Sequence, residues 1–443
     1  MKKVLCLGAG LVARPYIQYL SDNGFHVFVA SRTKSKAEHL IRGCENAESI
    51  AFDIATDDAL LDELTAKVDL VCSLLPYVHH VKAAKVALKH KKHFCTTSYI
   101  SPEMKALDAD AKKVGVLLLN ECGVDPGIDH MSAMQIIDQV HSKGGKVKSF
   151  TSFTGGLPAP DDNNNPYGYK VSWTPRGVLL AGRNDAHFLR DGKEVFIRGA
   201  DLFHNYELME VPEIGTFEAY PNRDSMSYIE IYNIPETKTM LRGTLRNIGW
   251  CETLDKIANL GLLDLEERSL ANMTYAAMMR NLTSAGTGSI KAAVAKFCGI
   301  AKNHPIIKRL EWLGLFDEVI IPSGINTRLD ALCHLFEQKM QYAPGERDML
   351  VMHHEFIAEY KDKKEKITST LIDYGLPNGD SSMSRTVALP VAIASRMILE
   401  GKIRLTGVHR PVVPVLYDPI LQELASLGIA LEEHVSDLQH VGV

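Results

Sequence analysis

The sequence has no apolar run of the roughly 18 residues that a membrane-spanning helix needs. It has no Cys-x-x-Cys pair among its eight cysteines, and no excess of one charge beyond a net −5. The first absence excludes a helical membrane protein. The cysteines, at positions 6, 44, 72, 95, 122, 251, 298 and 333, supply neither a zinc-ligand spacing nor a disulfide framework. They read as reduced, mostly buried thiols of a cytoplasmic protein. With 49 Lys and Arg interspersed among 54 Asp and Glu, nothing points to nucleic acid or a membrane surface as a partner. Met1-Lys2-Lys3-Val4 opens an apolar run that Gly8 and Gly10 break and that lacks a cleavage site, so no secretory signal is expected. Internal repeats, low-complexity tracts, a P-loop and a Gly-x-Ser-x-Gly elbow are missing. So is the Tyr-x-x-x-Lys pair where a short-chain dehydrogenase would carry it. His353-His354-Glu355 lacks the His-Glu-x-x-His spacing, and neighbours on a strand face opposite sides, so no metal site is expected.

One further absence is the most informative. Val4 to Leu7 is an apolar strand, followed by Gly8-Ala9-Gly10-Leu11-Val12-Ala13, a helix-period stretch (Tyr16, Ile17, Leu20), a turn at Asp22-Asn23-Gly24 and a second strand from Phe25 to Ala30. Strand, glycine turn, helix and strand form the unit that binds a dinucleotide. Gly8 permits the tight turn, Gly10 lets the backbone approach a pyrophosphate, and Ala13 lets the helix pack on the strand. The helix N-terminus offers its N–H groups to phosphate. An NAD site would place Asp or Glu at the end of the second strand to bond the ribose 2′-hydroxyl. This chain has Ser31-Arg32-Thr33 there. A guanidinium with hydroxyls suits a 2′-phosphate, so NADP is favoured; the structural alternative for Arg32 is a solvated charge at a strand end.

At 443 residues, 46% apolar and 23% charged, the chain is a globular protein too long for one core. Helices are expected at 34–42, 58–66, 78–89 and 102–114, alternating with strands at 49–53, 69–76, 93–96 and 116–121. That alternation implies a parallel sheet with functional groups beyond its C-terminal strand ends. Then come a helix at 128–140, a strand at 147–155 and a long Pro/Asp/Asn loop at 157–169. Strands are expected at 194–197 and 216–220, passage into helices from 234 to 248, and helices over 250–341. Two strands at 349–360 and 365–374 flank a charged tip. A helix or helix pair broken near Pro390 covers 381–399, and a short helix covers 419–427. The expected class is α/β, with a Rossmann domain (1–127 and 391–443), a mixed α/β substrate-binding and dimerisation domain (128–248 and 346–390) and a helical domain (249–345).

Hydride transfer needs a nicotinamide held beside a prochiral carbon, groups that orient the substrate, and often a proton donor. Ser98-Tyr99 follows strand five and Asp125 follows strand six. Tyr99 could donate a proton or orient a substrate group, and Asp125 could anchor an ammonium or act as acid or base; loop capping and packing are the structural alternatives. Arg223, Arg242 and Arg246 could grip carboxylates through bidentate forks, or form ordinary salt bridges.

Taken together, these stretches resemble the saccharopine reductase family, also called saccharopine dehydrogenase (NADP, L-glutamate-forming). The likeness runs through Gly8 to Ala13, Ser31-Arg32-Thr33, Thr97 to Pro102, Asp125-Pro126-Gly127-Ile128-Asp129-His130 and Gly155 to Pro160. It continues through Tyr169 to Trp173, Pro221 to Ser225, Arg242-Gly243-Thr244-Leu245-Arg246 and Ser369 to Gly375. The resemblance implies that 2-aminoadipate 6-semialdehyde and glutamate join as an imine, which NADPH reduces to saccharopine in lysine metabolism. It implies cofactor contacts at Leu11, Val12, Ala13, Arg14, Ser31, Arg32, Thr33, Asp53, Leu75, Thr97, Ser98, Val124, Asp125, Pro126 and Thr174. It implies substrate contacts at Ser98, Tyr99, Asp125, Arg223, Thr244, Leu245 and Arg246, with Asp125 and Tyr99 as the catalytic pair, and a homodimer. Two positions depart from the family pattern: Thr154 replaces a Cys before the Gly-Gly pair, and Thr174 replaces a Ser. No thiol can therefore serve as acid or base at 154, which shifts that role to Asp125, Tyr99 or water. Relatives acting on other amino-acid imines, of carboxynorspermidine synthase or lysine 6-dehydrogenase type, are the alternative. A nucleotide-binding regulator without catalysis is the reading from a different class.

Overall fold

The computed structural model describes residues 1–438; the last five positions of the 391–443 segment lie outside them. The chain divides into two compact units, residues 1–147 with the chain from 358 onward, and residues 148–357.

The first unit alternates strands and helices: β1 Lys3–Leu7, α1 Arg14–Asp22, β2 His26–Ser31, α2 Lys34–Leu40, β3 Ala47–Ala51, α3 Asp58–Ala66, β4 Leu70–Ser73, α4 His80–Lys89 and β5 His93–Thr96. After these come α5 Pro102–Lys105, α6 Asp108–Val114, β6 Leu117–Leu119 and α7 Ile128–Ser142. The single helix expected over 102–114 is thus two: Ser101 caps α5 by accepting from Met104 N at 3.1 Å, and the chain turns at Ala106-Leu107 before α6. β1 and β4 are fully buried apart from Lys3, as strands covered on both faces must be. Their residues join Phe52, Leu61, Ala83, Phe94 and Leu118 in the core between sheet and helices.

The second unit begins as β7 (Lys146–Pro158) leaves the first. It holds α8 Pro175–Ala181, β8 Ala186–Arg190, β9 Lys193–Ile197, β10 Glu207–Val211, β11 Gly215–Pro221, α9 Ser227–Ile231 and β12 Thr239–Arg246. Helices α10 Trp250–Asn259, α11 Tyr275–Thr283, α12 Ile290–Phe297, α13 Pro305–Leu313 and α14 Arg328–Lys339 follow, then β13 Asp348–Glu359. Its strands lie in the order β10-β11-β12-β7-β13, with β8 and β9 paired at the side of β12. β12 runs parallel to β7 and antiparallel to β11, which makes the sheet mixed.

β12 corrects the expectation of helix over 234–248. The segment is buried on both faces, so no polar alternation marks it as a strand. Gly243 sits where a Cβ would lie 2.3 Å from the Phe153 ring on β7 and 2.5 Å from the Tyr220 carbonyl, so the close approach of three strands requires the glycine. β8 and β10 were not foreseen either.

The chain returns to the first unit as β14 Lys364–Tyr374, α15 Ser382–Leu399, β15 Gly407–His409, α16 Pro414–Ser426 and β16 Leu431–Asp437. β15 pairs parallel with β6, giving a seven-stranded parallel sheet in the order β15-β6-β5-β4-β1-β2-β3. α15 runs unbroken through Pro390, contrary to the expected break. Nearly all of its second half is buried, and that burial outweighs the roughly 3 kcal/mol an internal proline costs. α16 begins at Pro414, five residues before the helix expected from 419.

Candidate active site

The turn after β1 is built as the spacing of its glycines demands. Gly8 has φ +112°, and a Cβ there would lie 3.0 Å from the Leu74 carbonyl after β4, so the turn is closed to any side chain. Gly10 is the opposite case: a Cβ there would meet nothing within 4 Å. The protein's own packing does not require a glycine there, and the backbone at this position is exposed. Leu11 is exposed, Val12 half-buried, and Ala13 fully buried at the N-terminus of α1. Arg14 begins that helix and pairs with Asp380 at 3.2 Å. Pro15 in the first turn has no N–H, so the exposed backbone at Gly10 and Leu11, with the start of α1 beside it, is what fits a pyrophosphate.

The neighbouring strand ends complete the cradle. Ser31 ends β2, and Arg32 and Thr33 stand exposed before α2. Among the described residues Arg32 has no carboxylate partner. Asp53, after β3, spends one carboxylate oxygen on Ala55 N at 2.9 Å, and Leu75, after β4, is half-buried. A cation without a carboxylate at the end of β2 fits a ribose 2′-phosphate. Arg32→Ala is expected to weaken NADPH binding about 10- to 100-fold, the loss of a charge-assisted pair, and to leave NADH binding within twofold. Titration by fluorescence checks this, and equal losses for both cofactors would refute the role.

Beyond β4, β5 and β6 the chain forms a polar cluster. Thr97, Ser98 and Tyr99 are half-buried after β5. Tyr99 Oη donates to Asp125 Oδ1 at 3.3 Å, so the structure brings together the two side chains singled out separately in the sequence. Val124 and Pro126 are buried on either side of Asp125. Gly127 holds this turn: a Cβ there would fall 2.0 Å from the Gly123 carbonyl.

Two groups in this cluster carry no sequence signal. His80, at the start of α4, bridges Ser73 Oγ (2.9 Å) and Ser98 Oγ (2.8 Å). Burial, then the neighbouring His79, pushes its imidazole down to about 4. Glu121, after β6, accepts from His130 Nε2 at 2.9 Å, from Arg410 Nη2 at 3.1 Å and from Ile100 N at 3.0 Å. Burial pushes its carboxyl up, but the His130 hydrogen bond and charge, Arg410 and the Ile100 amide outweigh it and hold the group at about 2. Short-range patterns hide these partners, because they lie up to 289 positions apart.

His80 has a consequence for stability. Its folded pKa lies below the unfolded value of 6.5, so the unfolded chain binds the extra proton between the two. The contribution is full above pH 6.5 and is lost as pH falls toward 4. We expect a loss of about 2 to 3 kcal/mol between pH 7 and pH 4.5, read as a falling Tm, with His80→Asn losing less over the same range. Equal acid sensitivity in both proteins would show that His80 does not titrate this way.

The second unit carries the arginines. Arg223 is exposed after β11, has φ +54°, and accepts from His187 N through its carbonyl at 2.9 Å. The register Tyr220↔Thr244 and Pro221↔Gly243 places the end of β11 beside β12. On β12, Thr244 is half-buried and paired with Thr154 of β7, and Leu245 is fully buried. Arg246 is 7% exposed. Its guanidinium lies 5.5 Å from the Tyr169 ring centroid and 5.6 Å from that of Trp250, and Nη1 donates to Leu245 O at 2.8 Å. Arg246 Nε and Thr154 Oγ1 are buried without a hydrogen-bond partner, and Arg246 makes no ion pair among the described residues. A buried guanidinium with a spare donor requires an acceptor from elsewhere, and a carboxylate meets that need. Thr174 stands exposed at the N-terminus of α8 in this unit. Among the described residues no group of His, Cys, Asp and Glu could hold a metal ion, and no helix is long and apolar enough to cross a membrane.

A Rossmann sheet with an open glycine turn and a basic, acid-free second strand end defines the class of NADP-binding proteins. Comparison with known proteins makes this specific. Residues 4–119 match the saccharopine dehydrogenase NADP binding domain and residues 123–429 the saccharopine dehydrogenase C-terminal domain. The chain is 43% identical over 99% of its length to the whole of saccharopine dehydrogenase [NADP(+), L-glutamate-forming] of Schizosaccharomyces pombe. It is 37% identical over 97% of its length to 47% of the mitochondrial alpha-aminoadipic semialdehyde synthase of Bos taurus. The apo saccharopine dehydrogenase (L-Glu forming) structure from Saccharomyces cerevisiae superposes with a TM-score of 0.90 at 40% identity, covering 98% of this chain and 100% of that one. The chain belongs to the saccharopine dehydrogenase family.

Proposed function

We propose that the protein is an NADPH-dependent reductase that converts the imine of 2-aminoadipate 6-semialdehyde and L-glutamate to saccharopine, reversibly, in lysine metabolism. The observation that carries this reading is the 41–43% identity, over nearly the full length, to three L-glutamate-forming saccharopine dehydrogenases. The site supplies the chemical reason. Saccharopine carries three carboxylates, and Arg246 offers a buried, carboxylate-free guanidinium; Arg223, Thr244 and Leu245 are assigned to the same ligand.

The amine nitrogen of glutamate and the aldehyde carbon lose water to form C=N. When bound, NADPH supplies the hydride that this carbon receives. Ser98 orients the substrate under the restraint of His80. Asp125 and Tyr99, hydrogen-bonded to each other, hold or move the proton at the nitrogen. Cofactor phosphates are assigned to Gly8, Gly10 and Leu11 to Arg14, the 2′-phosphate to Ser31, Arg32 and Thr33, and the adenine side to Asp53 and Leu75. Thr97, Ser98, Val124, Asp125 and Pro126 are assigned to the cofactor near the reacting carbon, and Thr174 to cofactor binding.

We further infer a homodimeric, cytoplasmic enzyme with the three-domain division set out above, on the strength of the family likeness. The relatives matched over nearly their full length are L-glutamate-forming enzymes, which disfavours a reductase of another amino-acid imine. A steady-state screen of amine and aldehyde pairs with both cofactors tests the reading. NADPH oxidation is expected only when glutamate and the semialdehyde are both present. Turnover with another amine donor would move the assignment to the related reductases, and binding without turnover of any pair would point to a regulator.

A further inference from the structure

The loops that carry Tyr99 and Asp125 do not touch only through those two side chains. Glu121 binds the first loop on both sides of Tyr99: its N–H donates to Ser98 O at 3.0 Å, and its carboxylate accepts from Ile100 N at 3.0 Å. Through its other oxygen it accepts from His130 Nε2 at 2.9 Å. His130 Nδ1 lies 3.6 Å from Asp129 Oδ2, and Asp129 Oδ1 accepts from Gly127 N at 2.5 Å, two residues after Asp125. Arg410, from the C-terminal segment, closes the arrangement at 3.1 Å. The Glu121 side chain is 2% exposed and its backbone has φ +56°, a left-handed conformation that costs a non-glycine residue roughly 1–2 kcal/mol. A buried carboxylate, three donors and a strained backbone are maintained where a strand could simply have ended.

We propose that Glu121 is a positioning residue for the reaction: it brackets Tyr99 and fixes that side chain against Asp125. This rests on the reading that Tyr99 and Asp125 meet the substrate. Glu121 touches neither substrate nor cofactor. It acts by holding the 98–100 backbone, with His130 and Asp129 tying the same carboxylate to the turn at 125–127. Misplacing a reacting pair by about 1 Å costs on the order of 100-fold in rate, so loosening this bracket lowers kcat while leaving binding groups elsewhere untouched.

The test is a double-mutant cycle in the full-length protein, using glutamate, the semialdehyde and NADPH. Glu121→Gln keeps an oxygen for Ile100 N and removes the charge that His130 and Arg410 share. It is expected to lower kcat about 10- to 100-fold, with the KM for glutamate and the Kd for NADPH within twofold. In a Tyr99→Phe background the same change is expected to cost less than threefold in kcat, because the contact it serves is already gone. Equal losses in both backgrounds, or a loss confined to KM, would overturn the proposal. Arg410→Gln, which removes one of the three donors, replaces Glu121→Gln in the same cycle if the latter does not fold. Unchanged kcat in Tyr99→Phe and Asp125→Asn would sink the active-site reading as well. Lowered kcat in those two variants with wild-type kcat in Glu121→Gln would sink this inference alone.

Discussion

Arg246→Met is expected to leave the protein at least as stable as the wild type while lowering kcat/KM by roughly 10²- to 10³-fold. Losses in activity and in stability usually travel together; here they separate because of where the guanidinium sits. Arg246 is 7% exposed, its Nε is buried without a partner, and no carboxylate of the described residues pairs with it. An arrangement of this kind is a standing cost in the free protein. Methionine keeps the packing on Tyr169 and Trp250 and removes the buried charge, so Tm should hold or rise. On the proposed function the sign reverses with substrate bound, because a substrate carboxylate would supply the missing acceptor; losing such a pair in a desolvated site costs about 2–5 kcal/mol. NADPH affinity should be unchanged. A fall in Tm with kcat/KM retained would mean that the arginine is structural.

Gly10→Val tests the proposed cofactor site by the same logic. Nothing lies within 4 Å of a Cβ at this position, so the variant should fold with wild-type Tm. A side chain there would stand where the pyrophosphate must approach the backbone, and NADPH binding should fall by more than about 100-fold, or roughly 3 kcal/mol. Gly8 provides the contrast: with φ +112° and the Leu74 carbonyl 3.0 Å from a Cβ, substitution there disturbs the fold as well. Wild-type NADPH affinity in Gly10→Val would remove the glycine turn from the cofactor site.

The nucleotide half of the molecule is legible because its physics is local. Gly8, Gly10 and Ala13 fall within six residues, and the missing acid at Ser31-Arg32-Thr33 is read directly from the strand end. Strands of the parallel sheet announce themselves as short apolar runs between helices. The second unit is less legible. β12, which carries Thr244, Leu245 and Arg246, is buried on both faces, so its pattern resembles a buried helix, and only the demand of Phe153 for Gly243 marks it as a strand. Arg223 and Arg246 could not be told from ordinary salt-bridge partners until the structure showed one of them without a carboxylate. His80 and Glu121 left no trace in the sequence, since what sets them apart is contact with residues distant along the chain: Ser98 for His80, and Arg410 for Glu121. The same holds for Pro390, whose effect depends on how thoroughly its helix is buried.

The identity of the reaction is most directly settled by running it backward and counting products. Saccharopine and NADP+ are incubated with the enzyme, and NADPH, glutamate and lysine are quantified together. The expected result is one NADPH and one glutamate for each saccharopine consumed, with no lysine and little reduction of NAD+ under the same conditions. Formation of lysine, or failure to reduce NADP+ with saccharopine while another N-substituted amino acid succeeds, would contradict the assignment.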